Sequence, residues 1–305
     1  MKVIIFGSNG LVGSSLVRCL PNSKKISEVI PSSREDTDLF SLEDTKKFIK
    51  NTNPDFIVNA AAKVGGILAN NSLRTDFILE NLKINMNILE AIVDYPKIRL
   101  INLGSSCIYP LNTENPIKES QLMTGKLEPT NSPYAMAKLT AIEIGDSLVK
   151  EHGHKIINLM PTNLYGPNDN FSDESSHVIP GLMHKMHKAK VEEADDFEVW
   201  GSGKPLREFL YVDDLANAIK FIIDNDIDEQ ILNIGSGYEV SIKELAESIK
   251  EITDYKGDLN FNENLPDGNP RKLLDSSKIK KLGWSPEVDL LQGLNLTYDW
   301  YKKSL

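Results

Sequence analysis

The chain has 305 residues, 40% hydrophobic and 26% charged, with a formal net charge of -10 at pH 7. That is the composition of a globular protein with room for one large domain or two unequal ones, and its acidity, with no long basic run, argues against a nucleic-acid backbone as partner. The two cysteines, Cys19 and Cys107, are too few for a disulfide framework, and no apolar stretch approaches the ~20 residues of a membrane helix. The first residues run straight into an apolar strand with no leader before it, so a reducing, cytoplasmic compartment is expected.

In chain order, residues 3–6 read as a strand and 11–20 as a helix. A short strand at 28–30 follows, then a helix at 41–50 with a capping-type start. Strands are expected at 56–60, 99–103 and 155–159, and helices at 76–94 and 134–150. This alternation predicts an α/β fold, a Rossmann-type doubly wound parallel sheet. The rhythm breaks after about Pro161, where a Gly/Pro/Asn/Ser-rich stretch at 165–176 leads to a helix at 180–190. A helix at 212–224 and a strand at 231–234 rejoin the sheet, Ser241 and Glu244 form a capping box for a helix to about Ile252, and residues 290–301 are helical. A smaller substrate domain built from two chain segments is the expected result.

Gly7-Ser8-Asn9-Gly10-Leu11-Val12-Gly13 follows the first strand and opens the first helix. Glycines at that spacing let the backbone approach a pyrophosphate, and the helix N-terminus offers free amides and a positive dipole end. After the second strand, Ser32-Ser33-Arg34 stands where an NAD site places a carboxylate. A guanidinium pairs with a 2′-phosphate, which favours NADP.

Tyr134 and Lys138 are four residues apart, and on a helix they share a face. The ammonium of Lys138 is therefore expected beside the phenol of Tyr134, favouring phenolate, and a Tyr tuned this way exchanges a proton with a carbinol oxygen. Ser105 or Ser106, at the end of the 99–103 strand, is placed to hydrogen-bond a substrate oxygen. Taken singly, Cys107 reads as a small buried hydrophobe and His177 as a surface or capping residue. His184 and His187 have the i, i+3 spacing of a metal pair, but no further His/Cys/Asp cluster completes a site and no metal is expected.

Longer segments carry a resemblance. Asn59-Ala60-Ala61-Ala62-Lys63-Val64-Gly65-Gly66-Ile67, the run 104–110, Glu128-Pro129-Thr130, the run 133–138 and Pro161-Thr162-Asn163-Leu164-Tyr165-Gly166-Pro167 are five of them. Ser176-His177-Val178-Ile179-Pro180, Trp200-Gly201-Ser202-Gly203 with Arg207-Glu208-Phe209, and Asp267-Gly268 with residues 270–275 complete the set, in order along nearly the whole chain. Together they resemble the extended short-chain dehydrogenase/reductases that act on nucleotide sugars, and within them the GDP-L-fucose synthase family.

The resemblance implies NADPH as cofactor and GDP-4-keto-6-deoxy-D-mannose as substrate, epimerised at C3 and C5 and then reduced at C4. It implies that Ser105, Cys107, Tyr134, Lys138 and His177 carry the chemistry, with Cys107 and His177 as the acid/base pair of the epimerisation. Around the cofactor it adds Ala61, Leu103, Gly104, Ser106, Pro161, Asn163 and Leu164 to the glycine loop and Arg34, and it also brings Tyr134, Lys138 and His177 there. For the nucleotide sugar it points to Lys185, Trp200, Arg207, Asp267 and Arg271. One departure from the family pattern is Asn9, where relatives carry a basic residue; Asn9 brings no charge to a 2′-phosphate and leaves that task to Arg34. Domains at 1–163 plus 212–235 and at 164–211 plus 236–305 are expected, and a homodimer through the helices at 76–94 and 134–150. The rival readings are a GDP-L-colitose-type synthase, a plain 4-epimerase and a non-catalytic NADP-binding sensor.

Overall fold

The structure is a computed structural model that describes every residue except Glu174 and Pro266; Glu174 falls within the 165–176 stretch. The first half alternates strand and helix: β1 Lys2–Phe6, α1 Leu11–Cys19, β2 Glu28–Ser32, α2 Leu42–Thr52, β3 Phe56–Asn59, α3 Ile67–Ser72, α4 Arg74–Ile92 and β4 Arg99–Leu103. It continues with α5 Ser132–His152, β5 Ile156–Pro161, β6 Asn163–Tyr165, α6 Val178–Val191, β7 Asp196–Trp200, β8 Leu206–Tyr211, α7 Val212–Asp224 and β9 Ile231–Ile234. The remainder is β10 Glu239–Ser241, α8 Ile242–Thr253, β11 Asp258–Asn262, β12 Arg271–Lys272, α9 Ser277–Leu282 and α10 Leu290–Ser304.

Six strands form one sheet in the order β2-β1-β3-β4-β5-β9, and every pairing is parallel. A parallel sheet is covered on both faces, which is why its strands read as unbroken apolar runs. Side chains alternate between the two faces. Val3, Ile5, Val58 and Ile101 join one core with residues of α1 and α7, and Ile4, Phe6, Ile57 and Leu100 join the other with residues of α2, α4 and α5. The order in which strands are added reverses between β1 and β3, and the crevice at that switch point is where ligands of open α/β sheets bind.

Local chemistry sets the helix ends. Ser41 caps α2 by accepting from the Asp44 amide at 3.2 Å, and Glu43 and Asp44 sit favourably at the positive end of its dipole. Pro133 fits the first turn of α5, and Gly153, at φ 72°, ends it. The Ser241–Glu244 box opens α8 as expected. Expected and observed bounds agree to within three residues, as frayed ends allow.

The expected pattern omits the helices α3 and α9 and the strands β6, β7, β8, β10, β11 and β12. β7 pairs in parallel with β11, and β8 pairs with β6, β10 and β12. These partners come from far along the chain, so no local rhythm announces them. A second core, with Tyr165, Met183, Phe209, Leu245 and Tyr298, lies among α6, β8, α8 and α10. Ile279 and Trp284, late in the chain, pack on the sheet core. None of the helices is long and apolar enough to cross a membrane among the described residues.

Glu208, fully buried in β8, joins the two parts. Its carboxylate accepts from the amides of Gly237 at 2.7 Å and Leu274 at 3.0 Å, and its backbone carbonyl accepts from Thr162 and Asn163. Burial pushes its pKa up, and those amides hold it part-way down. Glu208→Ala strands the buried Leu274 amide and the part-buried Gly237 amide and is expected to lower the unfolding free energy by roughly 2–4 kcal/mol, read as a fall in the urea midpoint at unchanged slope.

Candidate active site

Gly7 adopts φ +78°, and a Cβ there would lie 2.7 Å from the Ala61 backbone. A side chain on Gly13 would run into the Gly7 carbonyl. The loop is thus pressed against the end of β3, and Ser8 is buried beneath it. Gly10 caps α1 without a side-chain hydrogen bond, and a Cβ on it would meet only the Gly7 carbonyl, at 3.6 Å. With Leu11 and Val12 in its first turn, the helix presents amides and a positive dipole end to the open side.

The cleft beyond has a volume of about 670 Å³ and is lined by Gly7, Asn9, Gly10, Arg34, Phe40 and Ala61 among others. The Arg34 guanidinium is 5.9 Å from the Phe40 ring centroid, and its side chain is 81% exposed, free to turn toward an anion. Asn9 lines the same cleft without charge. Glu35 lines it too, a neighbour that the Ser-Ser-Arg reading passed over. A glycine cradle, a capless helix start and an uncovered guanidinium together fit a phosphorylated dinucleotide.

Along the same carboxyl edge of the sheet, two strands on from β1, β4 stops at Leu103. A side chain on Gly104 would collide with the Met160 sulfur, so the backbone turns there into Ser105. The Ser105 hydroxyl accepts from the Cys107 amide at 3.1 Å and caps a single 3-10 turn over Ser106–Ile108. Ser106 is buried and Cys107 half-buried. Tyr134, in the first turn of α5, packs edge-on against Phe77 with ring centroids 6.4 Å apart. Lys138, one turn on, is 3% exposed. Its Nζ donates to the Leu103 carbonyl at 2.7 Å and lies 5.7 Å from the Tyr134 ring centroid.

The expected electrostatics need correction. Burial pushes the Tyr134 phenol above its ordinary range, and the nearby Ser105 hydroxyl only partly offsets the rise. Burial also lowers the Lys138 ammonium to about 8. Dehydration of both groups outweighs their proximity, so Tyr134 stands as a protonated acid and not as a phenolate.

His177 caps the start of α6 and is reached by solvent. Lost hydration still pushes its imidazole below the usual range, so it is neutral at pH 7. Its segment is tied to the rest of the site: the Gly66 amide donates to the Ser175 carbonyl at 3.0 Å. A Cβ on Gly65 would touch both Phe77, at 3.3 Å, and the Ser175 carbonyl, at 3.6 Å. Phe77, absent from the sequence reading, is the wedge between Tyr134 and that strap. Pro161 ends β5, Leu164 packs on the sheet core, and the Asn163 amide donates to the Glu208 carbonyl at 2.8 Å.

In the second part of the chain, Lys185 sits 5.6 Å from the ring centroid of Trp200, an indole that is 53% exposed. Arg207 is half-buried, its guanidinium pulled down by burial and held up by the nearby Asp267 carboxylate. Asp267 accepts from the Ser202 amide at 2.7 Å and hydroxyl at 2.6 Å. It pins the Gly201–Ser202 turn, where the sequence reading had it free for a ligand. Arg271 donates through Nε to Glu239 at 2.8 Å. His184 and His187 bond the hydroxyls of Tyr301, at 2.7 Å, and Tyr298, at 2.8 Å, and so dock α6 on α10.

Lys138 releases its proton near pH 8 when folded and near 10.5 when unfolded. Between those values the unfolded chain binds more protons, so this group makes stability rise with pH. The wild-type unfolding free energy minus that of Lys138→Met, from urea titrations, is expected to be flat below pH 8 and to climb from pH 8 to 10.5; a flat difference throughout would mean a hydrated ammonium.

The family model described as "NAD dependent epimerase/dehydratase family" matches residues 3–235. GDP-L-fucose synthase 1 of Arabidopsis thaliana is 47% identical over 304 residues, covering 100% of this chain and 94% of its own. The GDP-L-fucose synthase of Escherichia coli (strain K12) is 41% identical over 309 residues, covering 98% and 96%. Among solved structures, a GDP-L-fucose synthetase from Naegleria fowleri bound to NADP superposes with a TM-score of 0.89 at 30% identity, covering 99% of this chain and 93% of that one. The glycine cradle and the Tyr134–Lys138 pair thus sit in a chain that belongs to the NAD dependent epimerase/dehydratase family and, within it, groups with the GDP-L-fucose synthases.

Proposed function

We propose that the chain is an NADPH-dependent GDP-L-fucose synthase, an enzyme that epimerises GDP-4-keto-6-deoxy-D-mannose at C3 and C5 and reduces the ketone at C4. The observation that carries this reading is the convergence of Ser105, Cys107, Tyr134 and Arg207 at one end of the sheet, in a chain alike along its whole length to enzymes of that name. NADPH, when bound, supplies the hydride for C4; the remaining tasks fall to side chains.

Protons on C3 and C5 flank the ketone and are acidified because their removal gives an enolate with charge on oxygen. We assign Tyr134 and Ser105 to that oxygen as hydrogen-bond donors, where preorganised donors stabilise developing charge most. The raised phenol pKa suits this role, since Tyr134 stays protonated until the C4 oxygen needs its proton. Cys107 and His177 are assigned as the pair that removes and returns the carbon-bound protons, the neutral imidazole being ready to accept. A thiol in proton transfer must stay reduced, and both cysteines are free, which supports a cytoplasmic setting. Lys185, Arg207 and Arg271 are assigned to the diphosphate and Trp200 to the guanosine.

We also place a second copy of this chain on the α4–α5 face. Leu79, Met86 and Met136 are exposed there, at 49%, 45% and 47%, beside a shallow groove lined by Arg74, Ile78 and Pro133. Met136→Glu is expected to convert a dimer to a monomer in size-exclusion chromatography with light scattering; a monomeric wild-type chain would remove the assignment.

Incubation with the keto sugar and NADPH, followed by NMR of the product, tests the activity directly. In D₂O without NADPH, Cys107→Ser is expected to slow deuterium uptake at C3 and C5 by about 10²-fold or more, and with NADPH, Tyr134→Phe is expected to lower nucleotide oxidation at least as far. Both variants should bind NADPH normally. Unchanged exchange in Cys107→Ser would take the thiol out of the mechanism.

A further inference from the structure

The mouth of the dinucleotide cleft holds an anion that the proposed chemistry does not use. Glu80 lies on α4 one helical turn before Ile84, which lines the cleft. Its Oε1 accepts from the Lys63 ammonium at 2.6 Å, and its Oε2 is 3.9 Å from the Arg34 guanidinium. Lys63 is aimed by its backbone, which exchanges two 3.0 Å hydrogen bonds with the side chain of Asn81. Asp76 stands 3.8 Å from the same ammonium. On the Arg34 side, the Phe40 ring takes Arg34 at 5.9 Å and Lys83 at 5.8 Å from its centroid.

The two halves of this bridge are unequal. The Lys63 and Glu80 side chains are 24% and 26% exposed and in hydrogen-bonding contact, whereas Arg34 is 81% exposed and beyond hydrogen-bond distance. The carboxylate is held by Lys63, and its pull on Arg34 is the weak pull of a hydrated surface pair. Of the other acids of the Arg34 loop, Asp36 is engaged by the Ser33 amide and hydroxyl, both at 2.8 Å, and Asp38 by the Phe40 amide at 2.9 Å, while Glu35 is exposed and lines the cleft beside Arg34.

Resting on the reading of Arg34 as a 2′-phosphate ligand, we propose that Glu80 is a specificity-determining residue. Its charge competes with the ribose 2′-phosphate for Arg34 and so limits how strongly the chain prefers a 2′-phosphorylated dinucleotide over the 2′-hydroxyl form. A 2′-phosphate that engages Arg34 meets Glu80 as a like charge, and a 2′-hydroxyl does not. Arg34 raises the preference and Glu80 lowers it.

The test is the dissociation constant of NADPH and of NADH, each read from nicotinamide fluorescence, for the whole chain and its variants. Glu80→Gln is expected to tighten NADPH by roughly threefold to tenfold and to leave NADH within about twofold. Glu80→Asp keeps a charge for Lys63 but withdraws it from Arg34, and is expected to give a smaller gain in the same direction. Raising the ionic strength from about 0.01 M to about 1 M shortens the Debye length from ~30 Å to ~3 Å and should erase most of the gain. Weaker or unchanged NADPH binding in Glu80→Gln, or equal tightening of both nucleotides, overturns the role. Arg34→Ala separates the two layers. A selective NADPH loss there with no gain in Glu80→Gln sinks Glu80 alone. Equal losses of both nucleotides sink the 2′-phosphate contact and Glu80 with it.

Discussion

The ammonium of Lys138, shut away from water and donating to the Leu103 carbonyl at 2.7 Å, fixes where α5 lies against the end of β4. A buried charge must be partnered, and the last carbonyl of the strand is the partner here. That one bond brings the first turn of α5 over the loop after β4, and with it Tyr134 toward Ser105. Burial pulls the ammonium down to about 8 and the phenol up, each toward its neutral form. The site therefore holds a protonated phenol in place. Phe77 and the Gly65–Gly66 strap extend the same packed chain to the segment carrying His177, so the positions of the outlying groups follow from how closely α5 sits on the sheet.

Much of the nucleotide half was legible because its physics is local. Strands buried on both faces leave apolar runs such as Phe56-Ile57-Val58, and a glycine loop between strand and helix leaves few structural alternatives. The i, i+4 spacing of Tyr134 and Lys138 correctly predicts one helix face. It does not give the depth of that face, and depth decides whether proximity or dehydration sets the phenol. In the same way Asp267 is recognisable as a polar group near a glycine turn, but only the fold reveals that Ser202 occupies both its oxygens.

The second half was less legible because its bonds span long stretches of chain. Tyr298 and Tyr301 complete His184 and His187 from more than a hundred positions away, |i−j| being 111 and 117. β7 alternates in and out of the core with a period of two, a signal present in Asp196-Phe197-Glu198-Val199-Trp200, yet its partner β11 lies far downstream. Glu80 escapes any motif scan, since its meaning depends on which helix turn faces Lys63 and Arg34.

The attachment of Glu208 to Leu274 bears on how the chain emerges from the ribosome. β9 completes the six-stranded sheet at Ile234, before Leu274 has been translated. Until then Glu208 has the Gly237 amide but not its second donor, and β8 lacks its edge partner β12. The six-stranded sheet is thus complete in strands while Phe209 and Tyr211 still lack α10 to cover them. During biogenesis it is this part, made early and covered late, that a chaperone reading exposed apolar surface would engage.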